Sequence, residues 1–253
     1  LLPPDDWVGF GPDRRFVLHE DWFHCDTGNR PEGPYLPWRR DEIERFAAAA
    51  HAHGGQVALY VSPYYGFKRA GHTESIVQTY LDLLVMGVDG WYFDGLLPNR
   101  EASQWLIAAI REAAGPDALM IAHVSHVTPE FAEPIWPEIE EILTTVADGE
   151  RVPWDAGWCD RMRQHKPGWI CHAGPLASVE NNKKAFQQAG RAGDPIPTEP
   201  MSDENIGLLV AEMNGVVPGW VYAIPENDHY RWSTGQSRRL QAWRTAMERK
   251  KNI

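Results

Sequence analysis

Gly87-Val88-Asp89-Gly90-Trp91-Tyr92-Phe93-Asp94-Gly95 reads as a short buried strand, aromatic and apolar, bounded by glycines and ending in a carboxylate. Strand alternation puts Gly90, Tyr92 and Asp94 on one face and Trp91 and Phe93 on the other. The preceding stretch is apolar at helical spacing, at Ile76, Val77, Tyr80, Leu81 and Leu84, with Thr73 as its N-cap. The following one is apolar at Ala102, Trp105, Leu106, Ala109, Ile110 and Ala113, and Gly115-Pro116 stops it. A strand between two such helices is one step of a β/α repeat. Asp94 falls where strand gives way to loop, the end at which α/β barrels carry their chemistry.

The alternation continues outward from there. Residues 1–15 are rich in Pro, Asp and Gly and have no regular pattern, and 16–23 read as a first strand. Residues 24–38 form a long loop with Tyr35, Trp38 and three prolines, a length that in compact domains is usually functional. A helix over 40–53, closed by Gly54, leads into a second strand over 56–62 and the aromatic loop Pro63-Tyr64-Tyr65-Gly66. Beyond the central stretch, 118–125 read as a fourth strand, and Pro129, Pro134 and Pro137 leave a broken helix at best. Residues 142–147 read as a fifth strand, running into Asp148-Gly149-Glu150, and 169–172 as a sixth after a helix near 154–164. No strand is readable over 175–200. A helix near 203–214, a final strand over 220–224 and a polar terminal helix over 234–251 complete the chain. The expected fold is α/β: a single domain over 1–253, a (β/α)8 TIM-type barrel with one irregular or missing strand near 191–199. Neither GxGxxG nor GxxxxGK[ST] occurs, which counts against nucleotide-binding α/β folds.

A chain of 253 residues, 43% hydrophobic, is long enough for one large core. With 24 Lys and Arg against 35 Asp and Glu, the formal charge of −11 disfavours a phosphate backbone, so no nucleic-acid partner is expected. No run approaches the length that spans a bilayer, and no membrane partner is expected either. The opening Leu1-Leu2-Pro3-Pro4 shows neither initiator Met nor signal peptide, which fits a mature form or an excised domain and leaves the address unreadable; between compartments, an extracellular or periplasmic place is favoured. Cys25, Cys159 and Cys171 form no CxxC, cannot all pair, and read as ordinary thiols or as one bridge and a thiol, which leaves the redox compartment open. The 12 Trp are the unusual feature. Trp22, Trp38, Trp154, Trp158 and Trp232 fall in loops or at strand ends, where flat indole faces suit the C–H faces of a sugar ring as well as they suit each other.

The strand ends gather polar groups. His19, Glu20 and Asp21 close the first strand, Tyr64 and Tyr65 follow the second, and Asp94 ends the third. His123, Ser125 and His126 belong to the fourth, Asp148 and Glu150 to the fifth, His172 to the sixth, and Glu226 and Asp228 to the last. Together they describe an acidic, aromatic-walled pocket for a carbohydrate. Asp94 suits the nucleophile of glycosidic cleavage, because an oxocarbenium-like transition state needs a negative partner; the plainer alternative is an Asp capping its own loop. Glu150 is the first choice for the proton donor, ahead of Glu226, Glu20 and Asp148. His19, Glu20, Trp22, Trp38, Tyr64, Tyr65, His123, Trp154, His172, Glu226, Asp228 and Trp232 are the expected substrate contacts, and no cofactor is required. Two rivals stand beside this. One is a metal-dependent barrel hydrolase using His19, His123, His172 and Asp94, although no HExxH exists and His51 and His53 sit at a helix end, facing its dipole. The other is a barrel that binds carbohydrate without turnover.

The strand GVDGWYFDG, following HAHGGQVALYVSP, resembles the barrel of glycoside hydrolases related to α-galactosidases and α-fucosidases. In those enzymes a [VI]-D-x-[LIY]-x-x-D-G strand ends in the nucleophile, which falls on Asp94. VLHEDWF and VADGE also resemble a group of glycoside-hydrolase-like barrels from bacterial polysaccharide-degrading proteins. The likeness covers residues 16–150 and is weak from 151 onward. It implies a retaining mechanism through a glycosyl-enzyme intermediate. The chain is shorter than most members and lacks their accessory β-sandwich. Their acid/base motif is not recognisable here, so Glu150 rests on position alone.

Overall fold

The computed structural model of the protein describes residues 15–18, 39–63, 73–94, 96, 100–123, 136–148, 169–170, 187, 193, 208, 211, 217–218, 222–223 and 234–252. In chain order the elements are β1 (Arg15–Leu18), α1 (Arg40–Ala52), β2 (Gln56–Val61), α2 (Thr73–Asp82), β3 (Gly90–Asp94), α3 (Arg100–Ala114), β4 (Leu119–His123), α4 (Pro137–Ile142), β5 (Thr145–Asp148), β6 (Trp169–Ile170), β7 (Val217–Pro218), β8 (Tyr222–Ala223) and α5 (Thr234–Lys251). They belong to two compact units that interleave along the chain. One is drawn from Leu1–Ala122, Ile135–Thr144 and Val221–Arg231, the other from His123–Pro134, Thr145–Trp220 and Trp232–Ile253.

In the first unit the hydrogen-bonded strand order is β4-β3-β2-β1-β8. β1 is parallel to both β2 and β8, and β2 is parallel to β3. Parallel pairing requires crossovers, and α1 and α2 supply them. The register sets Ala58 beside Gly90, Leu59 beside Trp91, Tyr60 beside Tyr92 and Val61 beside Phe93. Side-by-side residues of a parallel pair share a face, so Leu59, Val61, Trp91 and Phe93 lie on one side and Tyr60 and Tyr92 on the other. The first side is the helix side. The indole Nε1–H of Trp91 donates to the Tyr80 carbonyl of α2 at 3.0 Å, and the Tyr80 and Phe93 rings stand 6.2 Å apart. Phe16 of β1 likewise meets Phe46 of α1 edge to face at 6.1 Å. Both faces of these strands are buried, as parallel sheets require.

Gly90 departs from simple alternation. A Cβ there would stand 1.9 Å from the Leu119 carbonyl oxygen and 2.7 Å from its carbon. The side-chain position is therefore aimed at the backbone of β4, and Gly90 belongs to neither face. Its absent side chain lets β4 come close enough for the Leu119 N–H to reach the Asp89 carbonyl at 2.7 Å.

Two side chains tie the unit together away from the strand tips. At the start of β3, Oδ2 of Asp89 accepts the Val57 N–H at 2.7 Å and lies 2.8 Å from Nε2 of His51, in the last turn of α1. Near the end of α3, the Arg111 guanidinium donates to the carbonyls of Gly115, Pro116 and Ala118 at 3.1, 3.0 and 2.7 Å, and to that of Ile142 at 2.8 Å. The same site holds Thr144, whose hydroxyl accepts the Met120 N–H at 3.0 Å. Burial lowers the Arg111 pKa from its ordinary value, and the charge of Asp117 partly offsets this.

The second unit has the parallel order β5-β6-β7. Its terminal helix α5 is tied to Ala211 by a hydrogen bond from the Lys250 ammonium to the Ala211 carbonyl.

The expected and observed elements differ in three places. Ile142 closes helix α4 instead of opening a strand, and the fifth strand begins at Thr145. Pro137 explains this, since proline at a helix's first position is compatible with the fold and removes only an N–H that would be unpaired there. Within the expected final strand over 220–224 the described residues Tyr222–Ala223 form β8, and a further strand at Val217–Pro218, not expected, raises the described strands to eight. The buried residues of α3 are Ser103, Leu106, Ile107 and Ile110, while Trp105 is 41% exposed. Within 191–199 only Gly193 is described, in a turn; the other residues there, like the helix near 154–164, lie outside the described residues.

Candidate active site

The carboxylate of Asp94 is built by two neighbouring strands. Its side chain follows Tyr92 on the face away from α2, and it is half-buried at the C-terminal tip of β3. One strand over, Tyr60 lies beside Tyr92, with their rings stacked at 5.9 Å and inclined by 24°. A tyrosine extends well beyond its own Cα, and the Tyr60 hydroxyl reaches forward to donate to Oδ2 of Asp94. Ser62, the residue after β2, donates from Oγ to the Asp94 carbonyl oxygen at 2.7 Å. Hydroxyls two residues apart, one in β2 and one just past its end, thus hold the side chain and the main chain of the same aspartate. An ionised carboxylate can only accept hydrogen bonds, and Tyr60 supplies one donor that it needs. Such a group suits attack on an electrophilic carbon or stabilisation of a positive charge.

Asp89, five residues earlier on the same stretch, shows the contrast. Its oxygen is engaged by the Val57 backbone and by His51 at the opposite end of the strand, which makes it a structural carboxylate.

Of the other expected site residues, His123 ends β4 and is buried. Glu150, His19, Glu20, Trp22, Trp38, Tyr64, Tyr65, Trp154, His172, Glu226, Asp228 and Trp232 lie outside the described residues, as do Asp21, Ser125 and His126. Among the described residues no group of three or more His, Cys, Asp or Glu is placed to hold a metal ion, and no helix is long and apolar enough to cross a membrane. Tyr60 and Ser62 are not among the site residues expected from the sequence. Their signal there is the pair of hydroxyls spaced by two in the otherwise apolar run Val57-Ala58-Leu59-Tyr60-Val61-Ser62.

No protein-family model matches the chain, and no curated protein does. Solved structures are similar to it in fold. The α-amylase of Geobacillus thermoleovorans, complexed with acarbose, aligns over 98% of this chain and 70% of its own, with a TM-score of 0.52 at 8% identity. The noncanonic maltogenic α-amylase AmyB of Thermotoga neapolitana aligns over 96% of this chain and 71% of its own, with a TM-score of 0.50 at 10% identity. The chitinase RmChi1 of Rhizomucor miehei aligns over 74% of this chain, with a TM-score of 0.42 at 16% identity, too loose a match to argue from. The chain spans 66% of that chitinase's length. At such identities the likeness to the two amylases shows the fold alone: an α/β fold of the kind these glycoside hydrolases have.

Proposed function

We propose that the chain is a glycoside hydrolase acting on an oligo- or polysaccharide, with Asp94 as nucleophile and Glu150 as acid/base. The observation that carries this reading is the carboxylate of Asp94 at the tip of β3, on the face opposite Trp91 and Phe93 and held by the Tyr60 hydroxyl. The fold shared with the two amylases and the resemblance at 87–95 to the α-galactosidase and α-fucosidase type support it. The closed eight-stranded barrel and the single catalytic domain belong to the same proposal.

In the first step an Asp94 oxygen bonds to the anomeric carbon as the glycosidic C–O bond breaks, and Glu150 gives its proton to the leaving oxygen. In the second, Glu150 takes a proton from water as the water oxygen attacks the same carbon and frees the Asp94 carboxylate. Two inversions at one carbon give retention, for which the carboxyls should stand about 5–5.5 Å apart. The aromatic side chains Trp38, Tyr64, Tyr65, Trp154 and Trp232 would offer stacking faces to the sugar.

The test is a panel of 4-nitrophenyl glycosides assayed with wild type and Asp94→Asn. The substitution should lower turnover on the order of 10³-fold or more. In Asp94→Gly, where the carboxylate's space is vacated, azide or formate should restore part of it, and proton NMR should find the azide product of inverted configuration. An Asp94→Asn variant that turns over at the wild-type rate would remove the nucleophile from the scheme.

A further inference from the structure

We propose that Tyr60 is a positioning residue whose hydroxyl fixes the attacking oxygen pair of Asp94, an inference that rests on Asp94 being the reacting carboxylate. Tyr60 and Tyr92 are only 8% and 3% exposed, so the stacked pair is too covered to serve as a platform for a sugar ring. What the stack does is hold the phenol in one orientation. The two rings are near-parallel, 5.9 Å apart and inclined by 24°, Tyr60 is in register beside Tyr92, and its hydroxyl is aimed two residues forward at Oδ2 of Asp94. Ser62, itself buried, fixes the Asp94 main chain from just past the end of the same strand. The backbone of the aspartate is thus anchored by one hydroxyl and its carboxylate plane by the other.

Anchoring matters because nucleophilic attack needs an oxygen within about 3–3.5 Å of the carbon and in line with the bond that breaks. A carboxylate at a strand tip that can rotate about two side-chain torsions spends much of its time out of line. A rigid donor removes that freedom before substrate arrives. Its benefit therefore appears in the transition state and hardly in substrate binding.

The experiment compares wild type, Tyr60→Phe, Asp94→Gly and the double variant, using the 4-nitrophenyl glycoside that wild type hydrolyses. Tyr60→Phe deletes one oxygen and leaves the stacked ring. It should lower kcat by about 10- to 100-fold, the range expected for losing a hydrogen bond to a charged group, with KM within about twofold. In the Asp94→Gly background azide replaces the carboxylate, so Tyr60 has nothing left to position. There the azide-rescued rates with and without Tyr60→Phe should agree within about twofold. The proposal is overturned if Tyr60→Phe keeps wild-type kcat, if it slows the azide-rescued reaction as much as the native one, or if it melts out of the folded state at assay temperature. Should Asp94→Asn itself stay active, the nucleophile assignment has failed instead. An inactive Asp94→Asn beside a fully active Tyr60→Phe sinks the positioning role alone.

Discussion

At the scale of single residues, the two ends of one strand separate structure from chemistry. The carboxylate ending β3 is legible in the chain, because an apolar run closing on Asp-Gly carries its own boundary. Its partners are not legible in the same way. Tyr60 and Ser62 gain their roles from the pairing of β2 with β3, thirty-two or more positions apart, and no local pattern encodes that register. Gly90 is a similar case. Parity places it on the face of Tyr92, yet its φ of 157° is one that L side chains rarely adopt, and beyond that strain the backbone of β4 is in direct collision with any Cβ, at 1.9 Å. Since the obstacle is main chain, it cannot rotate away. Gly90→Ala should cost about 3 kcal/mol or more, and lower Tm by roughly 6–12 °C in thermal unfolding followed by circular dichroism. Gly87 is the control, with φ of 75° but nothing within 4 Å of the place a methyl group would take. Gly87→Ala meets only the strain of that backbone, about 1 kcal/mol. Equal losses at the two positions would show that strain, and not the approach of β4, sets the cost.

At the scale of elements, the helices are legible as helices, and less so in the face they bury. Apolar spacing runs the stripe of α3 through Trp105 and Ala109, whereas Ser103 and Ile107 are buried beside Leu106 and Ile110. Hydrophobicity alone ranks a tryptophan above a serine. Packing prefers the small side chain where the helix comes close, and Trp105 is left at the edge of the buried face. The end of α3 depends on charge instead of apolar contact. Arg111 answers the carbonyls of Gly115, Pro116, Ala118 and Ile142, so one side chain ties the α3 terminus to the end of α4. Arg111→Met keeps the apolar stem and removes every donor. We expect a loss of about 2–4 kcal/mol, read as a lower urea midpoint with unchanged slope. Arg111→Lys should recover little, because one ammonium cannot reproduce a fork pointing at several carbonyls. A midpoint for Arg111→Met equal to that of wild type would mean that water answers those carbonyls just as well.

At the scale of the whole molecule, composition speaks most directly through charge. A formal −11 means that the folded chain concentrates like charges which the unfolded chain can spread apart. Added salt acts on two opposing quantities. It weakens attractive pairs such as Arg40 with Glu44 at 2.7 Å and Arg39 with Glu42 at 3.3 Å, and it also screens the general repulsion. The pairs are one helical turn apart on α1, where each contributes only about 0.3–0.5 kcal/mol. The repulsion involves an excess of eleven acidic groups over the whole chain, and its reach is the screening length, about 30 Å at 0.01 M salt and 10 Å at 0.1 M. Relief of repulsion should therefore win. Raising potassium chloride from about 10 to about 100 mM should lift Tm by roughly 2–4 °C, the shift for about 1 kcal/mol in a chain of this size. Chloride is the proper anion, because sulfate strengthens apolar burial by another route. A Tm that falls with chloride would place the attractive pairs above the net charge, and would count the acidic excess as spread too thinly to matter for folding.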